Sequence, residues 1–133
     1  MNDQILPPSV DPDTRKVAIR TVHAINEAGT RTVTQVRDYD PIIADEPDTL
    51  GGTNTGPSPL ELALVSLVSC DGVIINGVAQ AMNFDYARVE FEASGQIDVR
   101  GPKGVRGVRP YFEKVDLGIT LATEESDERF EKL

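Results

Sequence analysis

Over residues 17–25 the side chains Val17, Ile19, Thr21, His23 and Ile25 alternate with Ala18, Arg20, Val22 and Ala24. This period of two, rich in β-branched residues, predicts a strand. Ala28 and Gly29 supply a turn, and residues 30–37 follow with Val33 and Val36 as apolar anchors, so the two runs make a hairpin. A short third strand is expected around Ile42 and Ile43, after Pro41. The next stretch, DEPDTLGGTNTGP over 45–57, holds three glycines and two prolines and no periodic apolar face. It reads as a long loop, of the kind that often carries function.

Ser58 is a good N-cap, Pro59 suits the first helical position, and Glu61 three residues after Ser58 completes a capping box. The helix that starts there runs from Pro59 to Met82, about 36 Å, and Asn83 is placed to end it. Beyond it three runs alternate: 88–93 through Val89, Phe91 and Ala93, 96–100 through Ile97 and Val99, and 115–121 through Val115, Leu117, Ile119 and Leu121. GPKGVRGVRPYF joins the last two, and SDERFEKL begins a terminal helix with Phe130 and Leu133 on its inner side. Residues 1–14, with Pro7, Pro8 and Pro12, read as a flexible arm, which leaves a single domain over 15–133.

The fold class expected is α+β: two antiparallel three-stranded β segments flanking a long buried central helix. That helix is apolar around nearly its whole circumference, through Leu60, Leu62, Leu64, Val65, Leu67, Val68, Val73, Ile74, Ile75, Val78 and Met82. It must be covered on all sides. Two small sheets cover one face well and a second only partly, so a partner subunit is the natural source of the rest.

At 133 residues the chain is one domain, and 39% apolar with 26% charged residues gives no support to a disordered or fibrous reading. Thirteen Lys and Arg against 22 Asp and Glu leave a net charge of −9, which argues against a sequence-independent nucleic-acid binder and equally against an acidic membrane surface as partner. The single cysteine makes no internal disulfide and, with only His23 beside it, no cysteine-rich zinc site. No metal or cofactor site is expected. With no basic region leading into an apolar stretch at the N-terminus, the cytoplasm is the expected compartment. Glu61, Asp71, Asn76 and Gln80 within the apolar segment favour a buried helix of a soluble protein over a membrane span.

Cys70 lies near the middle of the helix. At 100° per residue, Ala63, Ser66, Val73, Gly77 and Ala81 fall within about 40° of its direction. The stripe is lined by small residues, which suits either close helix packing or a recess above the sulfur. A buried small hydrophobe is the ordinary role of a free cysteine.

LGGTNTGPSPLELALVSLVSC resembles the helix start and cysteine of the OsmC/Ohr family, the osmotically induced protein C and organic hydroperoxide resistance proteins. VRPYFEKVDLGITL is similar to that family's later strand pair, and the likeness covers roughly residues 45–121. The resemblance implies an intertwined homodimer with the two long helices in the middle, and reduction of organic hydroperoxides by a reactive cysteine at the position of Cys70, in oxidative stress defence. It also implies an arginine from the N-terminal part of the chain, for which Arg37 is the first choice and Arg31 the second. A free thiol is only a few per cent thiolate at neutral pH, and the helix dipole fades within one turn, so a cation must arrive through the fold.

Three positions depart from the family pattern. The active enzymes carry a glutamate ten residues before the cysteine, where this chain has Leu60. Glu61 is the neighbouring candidate, but nine residues place it about 180° around the helix from Cys70, so capping is its expected role and catalysis the alternative. Asp71 sets a negative charge directly after the thiol, and the family's resolving cysteine belongs to a C-terminal helix that stops here at Leu133. Either the chain is shortened or an external thiol or dithiol acts as reductant.

His23 shares a strand face with Ile19 and Ile25 and is expected in a core or interface. Arg100, Lys103, Arg106 and Arg109 are interleaved with glycines and read as a solvated hairpin loop before an anion grip. The Gly51-Gly52 pair lacks the spacing of a phosphate-binding loop. The expected function is therefore an OsmC-like thiol peroxidase. The alternatives are a non-catalytic OsmC-like homodimer binding a small apolar ligand, and an interaction domain whose acidic surface meets a basic partner.

Overall fold

A computed structural model describes Thr14 and residues 16–133. The arm expected over 1–14 lies, apart from Thr14, outside the described residues. The first sheet is β1 (His23–Ile25), β2 (Thr32–Gln35) and β3 (Ile42–Ala44), antiparallel in the order β1-β2-β3 with Ile25 opposite Val33 and Thr34 opposite Ile42. A 3-10 turn over Asp48–Leu50 precedes α1 (Pro59–Met82). The second sheet is the antiparallel pair β4 (Arg88–Gln96) and β5 (Lys114–Ala122), in register from Arg88–Ala122 to Gln96–Lys114. One helical turn, α2 (Asp127–Phe130), follows. The mixed α+β class holds, with two small antiparallel sheets and one long helix.

Two expected strands are corrected. The run over 96–100 is not a strand: the Asp98 carboxylate takes bonds from the Arg100 backbone and side chain, and the Gly101 N–H donates to the Asp98 carbonyl, so the chain coils where β4 ends. Among the described residues the second sheet thus has two strands, not three. The strand over 17–25 shortens to His23–Ile25 because β2 is only long enough to pair with those residues. Val17 and Ile19 keep their alternation and are exposed.

The single chain covers the helix only in part. α1 packs on β4, where Gly72 meets the Phe91 ring, but among its described residues only Ala79 is fully buried, at 1% exposure. Val65, Val73 and Ile74 are 53%, 73% and 55% exposed. The chain exposes 11105 Å², where a folded monomer of 14.4 kDa exposes about 6,800 Å². Among the described residues the first sheet shares no extensive interface with α1 or with the second sheet. By length and composition alone α1 could cross a membrane.

Candidate functional site

The site is built on α1, which is fixed at both ends. At its start the Ser58 N–H donates to Glu61 Oε2 at 2.7 Å and the Glu61 N–H donates to Ser58 Oγ at 3.3 Å, closing the capping box around Pro59. At its end Asn83 adopts φ 49° and its N–H returns to the carbonyls of Ala79 and Gln80. Arg129 from α2 adds a second cap. Its Nη2 donates to the Met82 and Asn83 carbonyls at 3.2 and 2.7 Å, and its Nε pairs with Glu125 at 2.7 Å.

Helical periodicity divides α1 into two faces. Leu60, Leu64, Val68, Gly72, Ile75 and Ala79 form the more buried stripe, and Ala63, Ser66, Cys70, Val73, Gly77 and Ala81 form the open one. The Cys70 thiol is exposed in the middle of that open apolar face. Asp71 belongs to the other stripe, half-buried, and its Oδ2 is out of solvent with no hydrogen-bond partner.

The remaining sequence candidates lie elsewhere in the chain. Glu61 is about 13 Å from Cys70 along the helix axis, its carboxylate committed to the cap. Arg37 sits in the β2–β3 turn at φ 48°, exposed, with its guanidinium 4.7 Å above the Tyr39 ring. Arg31 lines a surface cavity of about 360 Å³ with Ile25, Glu27, Ala28 and Val33. Among the described residues no hydrogen bond joins Cys70 to Glu61, Arg31 or Arg37. His23 is exposed, which removes the core reading in the single chain, because among the described residues no helix or strand packs extensively over the sheet that carries it. No group of three or more metal-ligating side chains occurs among the described residues.

Sequence reasoning missed Asp45, which is fully buried at 0% exposure. Its Oδ1 accepts from the Thr30 hydroxyl at 2.7 Å and the Glu46 N–H at 2.9 Å. Its Oδ2 accepts from the hydroxyl and N–H of Thr53 at 2.6 and 3.2 Å, and from those of Thr55 at 2.8 and 3.1 Å. The Thr53 hydroxyl, then that of Thr30, then Thr55, hold this carboxyl far below the usual range against the opposing cost of burial. The only trace in the sequence is the spacing of Thr53 and Thr55 two apart after an aspartate. Leu60, in the position where a family glutamate was expected, lines a cavity of about 490 Å³ with Leu50, Ile97, Val99, Pro102 and Pro110, and with the polar Thr30, Glu46 and Lys103.

The sequence model of the OsmC-like protein family matches residues 52–133, more than half of the chain and the whole of α1 with its cysteine. The chain belongs to the OsmC-like family. Among solved structures, this OsmC-like protein is similar to an osmotic stress induced and detoxification response protein from Psychrobacter arcticus 273-4, at 24% identity and TM-score 0.67, covering 88% of this chain and 80% of that one. It is also similar to an OsmC like protein from Mycoplasma pneumoniae, at 18% identity and TM-score 0.69, covering 86% and 77%. At these identities the likeness establishes the shared fold. No curated protein matches the sequence.

Proposed function

We propose that this OsmC-like protein is a thiol-dependent peroxidase that reduces organic hydroperoxides in a stress response and works as an intertwined homodimer. The observation that carries the reading is the open face of α1, an apolar strip with an exposed thiol at its centre, the small Ala63, Ser66 and Gly77 along its stripe, and Leu67, Val73 and Ile74 beside it. Such a surface demands cover by protein, since the family's members are generally soluble. The first sheet, with Ile25 exposed on the face it shares with Val33 and Ile43, is a cover of matching character when it comes from a second copy. Its β2–β3 turn would bring Arg37 to the thiol, with Arg31 as the second candidate. Neither arginine has an ion pair among the described residues, which supports their availability.

In the proposed step the Cys70 thiolate attacks the terminal oxygen of the hydroperoxide. An S–O bond forms as the O–O bond breaks, the alkoxide leaves and takes a proton to become the alcohol, and the sulfur, oxidised by two electrons, becomes a sulfenic acid. The arginine orients the thiolate and stabilises the charge moving onto the alkoxide. In this reading an external dithiol completes the cycle. One thiol condenses with the sulfenic acid to release water, and the second displaces the Cys70 thiolate.

The cavity at Leu60 favours a second reading, a non-catalytic homodimer that holds a small apolar ligand against Leu50, Leu60 and Ile97. Steady-state turnover separates the two. Cumene hydroperoxide with a dithiol is expected to be consumed by the wild type, to be untouched by Cys70→Ser, and to be consumed at least about tenfold more slowly by Arg37→Ala. Equal, negligible consumption by all three would favour the ligand-binding dimer.

A further inference from the structure

We propose that Asp45 is the elbow that sets assembly: it freezes the segment between β3 and α1 so that the first sheet is held off the helix of its own chain and presented to a second copy. The proposal rests on the dimeric reading given above. Its starting point is a puzzle in the single chain. The first sheet exposes Ile25 on the face it shares with Val33 and Ile43, and α1 exposes the adjacent Val73 and Ile74. Folding that face onto that side of the helix would remove both from water, yet among the described residues the first sheet makes no extensive contact with α1.

Length is not the obstacle. The 45–57 segment, fully extended, spans about 43 Å, longer than the helix, and its three glycines would make a flexible hinge by composition. The obstacle is that the segment is braced. The Asp45 N–H donates to the Pro57 carbonyl at 3.0 Å, the Asn54 N–H to Glu46 at 3.1 Å, and the Gly52 N–H to Pro47 at 3.1 Å. A Cβ at Gly52 would overlap the Glu46 backbone, and one at Gly56 the Ile43 carbonyl, so the loop lies tight against the end of β3. The six donors on Asp45 join three parts that are distant in sequence: Thr30 in the β1–β2 turn, the end of β3, and Thr53 with Thr55 just ahead of the helix cap.

A carboxylate suits this position because it accepts only, and its two oxygens take several donors at once. Buried without a cation, it is tolerated only while those donors stay in place, which makes the node all-or-none. Whether a hinge segment is pinned or free decides between a closed monomer and an exchanged dimer.

The test compares the full chain with Asp45→Asn, with the pair Thr53→Val and Thr55→Val, with the pair Thr53→Ser and Thr55→Ser, and with Thr30→Val. Light scattering gives the mass, and native mass spectrometry of mixed unlabelled and ¹⁵N-labelled protein gives subunit exchange. The wild type is expected to be a slowly exchanging dimer. Asp45→Asn and the valine pair should release a folded, helical monomer or exchange subunits at least about tenfold faster, and the serine pair, which keeps both hydroxyls, should match the wild type. Thr30→Val, which deletes a single donor, decides in the same direction if the stronger variants fail to fold. Wild-type mass and exchange rate in a folded Asp45→Asn, valine-pair or Thr30→Val chain would overturn the elbow while leaving the dimer intact. A monomeric wild type would instead overturn the dimer, and the elbow with it.

Discussion

The Thr30 hydroxyl donates to the buried carboxylate of Asp45 at 2.7 Å and thereby ties the β1–β2 turn to the end of β3. Together with Thr53 and Thr55 it holds that carboxyl far below the usual carboxylate range. The consequence for stability has a definite sign. A carboxyl with a depressed folded pKa lends stability above its unfolded value, 3.8, and loses it as pH falls toward the folded value. Asp98, pulled down to about 2 by the Arg100 side chain and N–H, acts in the same direction. The thermal midpoint is expected to fall steadily below about pH 4, and the gaps separating Asp45→Asn and Asp98→Asn from the wild type should narrow on acidification. Parallel curves down to about pH 2 would remove both carboxylates from the account.

At the helix start, Ser58→Ala is expected to cost about 1 kcal/mol in chemical denaturation, and Glu61→Gln less, because Gln still closes the box. Loss of peroxide turnover in Glu61→Gln at full stability would move Glu61 from the cap into the reaction.

The helix start and the position of Cys70 were legible because both depend on local spacing: Ser58, Pro59 and Glu61 act within one turn, and helical periodicity alone places Cys70 on a stripe of small residues. The first hairpin and the alternation of β4 and β5 were legible for the same reason. What escaped depends on distant partners. The alternation of Val17, Ile19 and Thr21 is that of a strand, but β2 is too short to pair with it. Ile97 and Val99 alternate correctly, yet the Asp98–Arg100 pair turns the chain. Asp45 looks like any loop aspartate until folding brings three threonines to it. No partner of Cys70 was legible: among the described residues neither Arg37 nor Arg31 bonds to the thiol.

Adjacent glycines in the 45–57 loop should respond oppositely. Gly51 has φ 84° with open space around it, and Gly52 has backbone where a side chain would go. Gly51→Asn is expected to cost about 1 kcal/mol or less, since Asn tolerates the left-handed region. Gly52→Ala should cost well over that, about 2 kcal/mol or more, by forcing the loop off Glu46. Comparable thermal midpoints for the two variants would contradict the tight seating of the loop.

Arg129→Ala removes two hydrogen bonds to the last carbonyls of α1 and the contact with Phe84, whose ring lies 5.8 Å away. The arginine is partly exposed, so the expected cost is about 1 kcal/mol. Hydrogen exchange should read it as faster opening at residues 79–84 with the helix start unchanged. Uniform acceleration along α1 would mean that Arg129 supports the whole fold and not this end.

The most direct measurement is a single-turnover oxidation of Cys70 in the intact protein. One equivalent of cumene hydroperoxide, with dimedone present, is followed by mass spectrometry of the peptide that carries Cys70. The account predicts a dimedone adduct on Cys70, formed faster than with hydrogen peroxide because Leu67, Val73 and Ile74 favour an apolar substrate, and formed more slowly in Arg37→Ala. An unmodified Cys70 with the hydroperoxide recovered intact would contradict it.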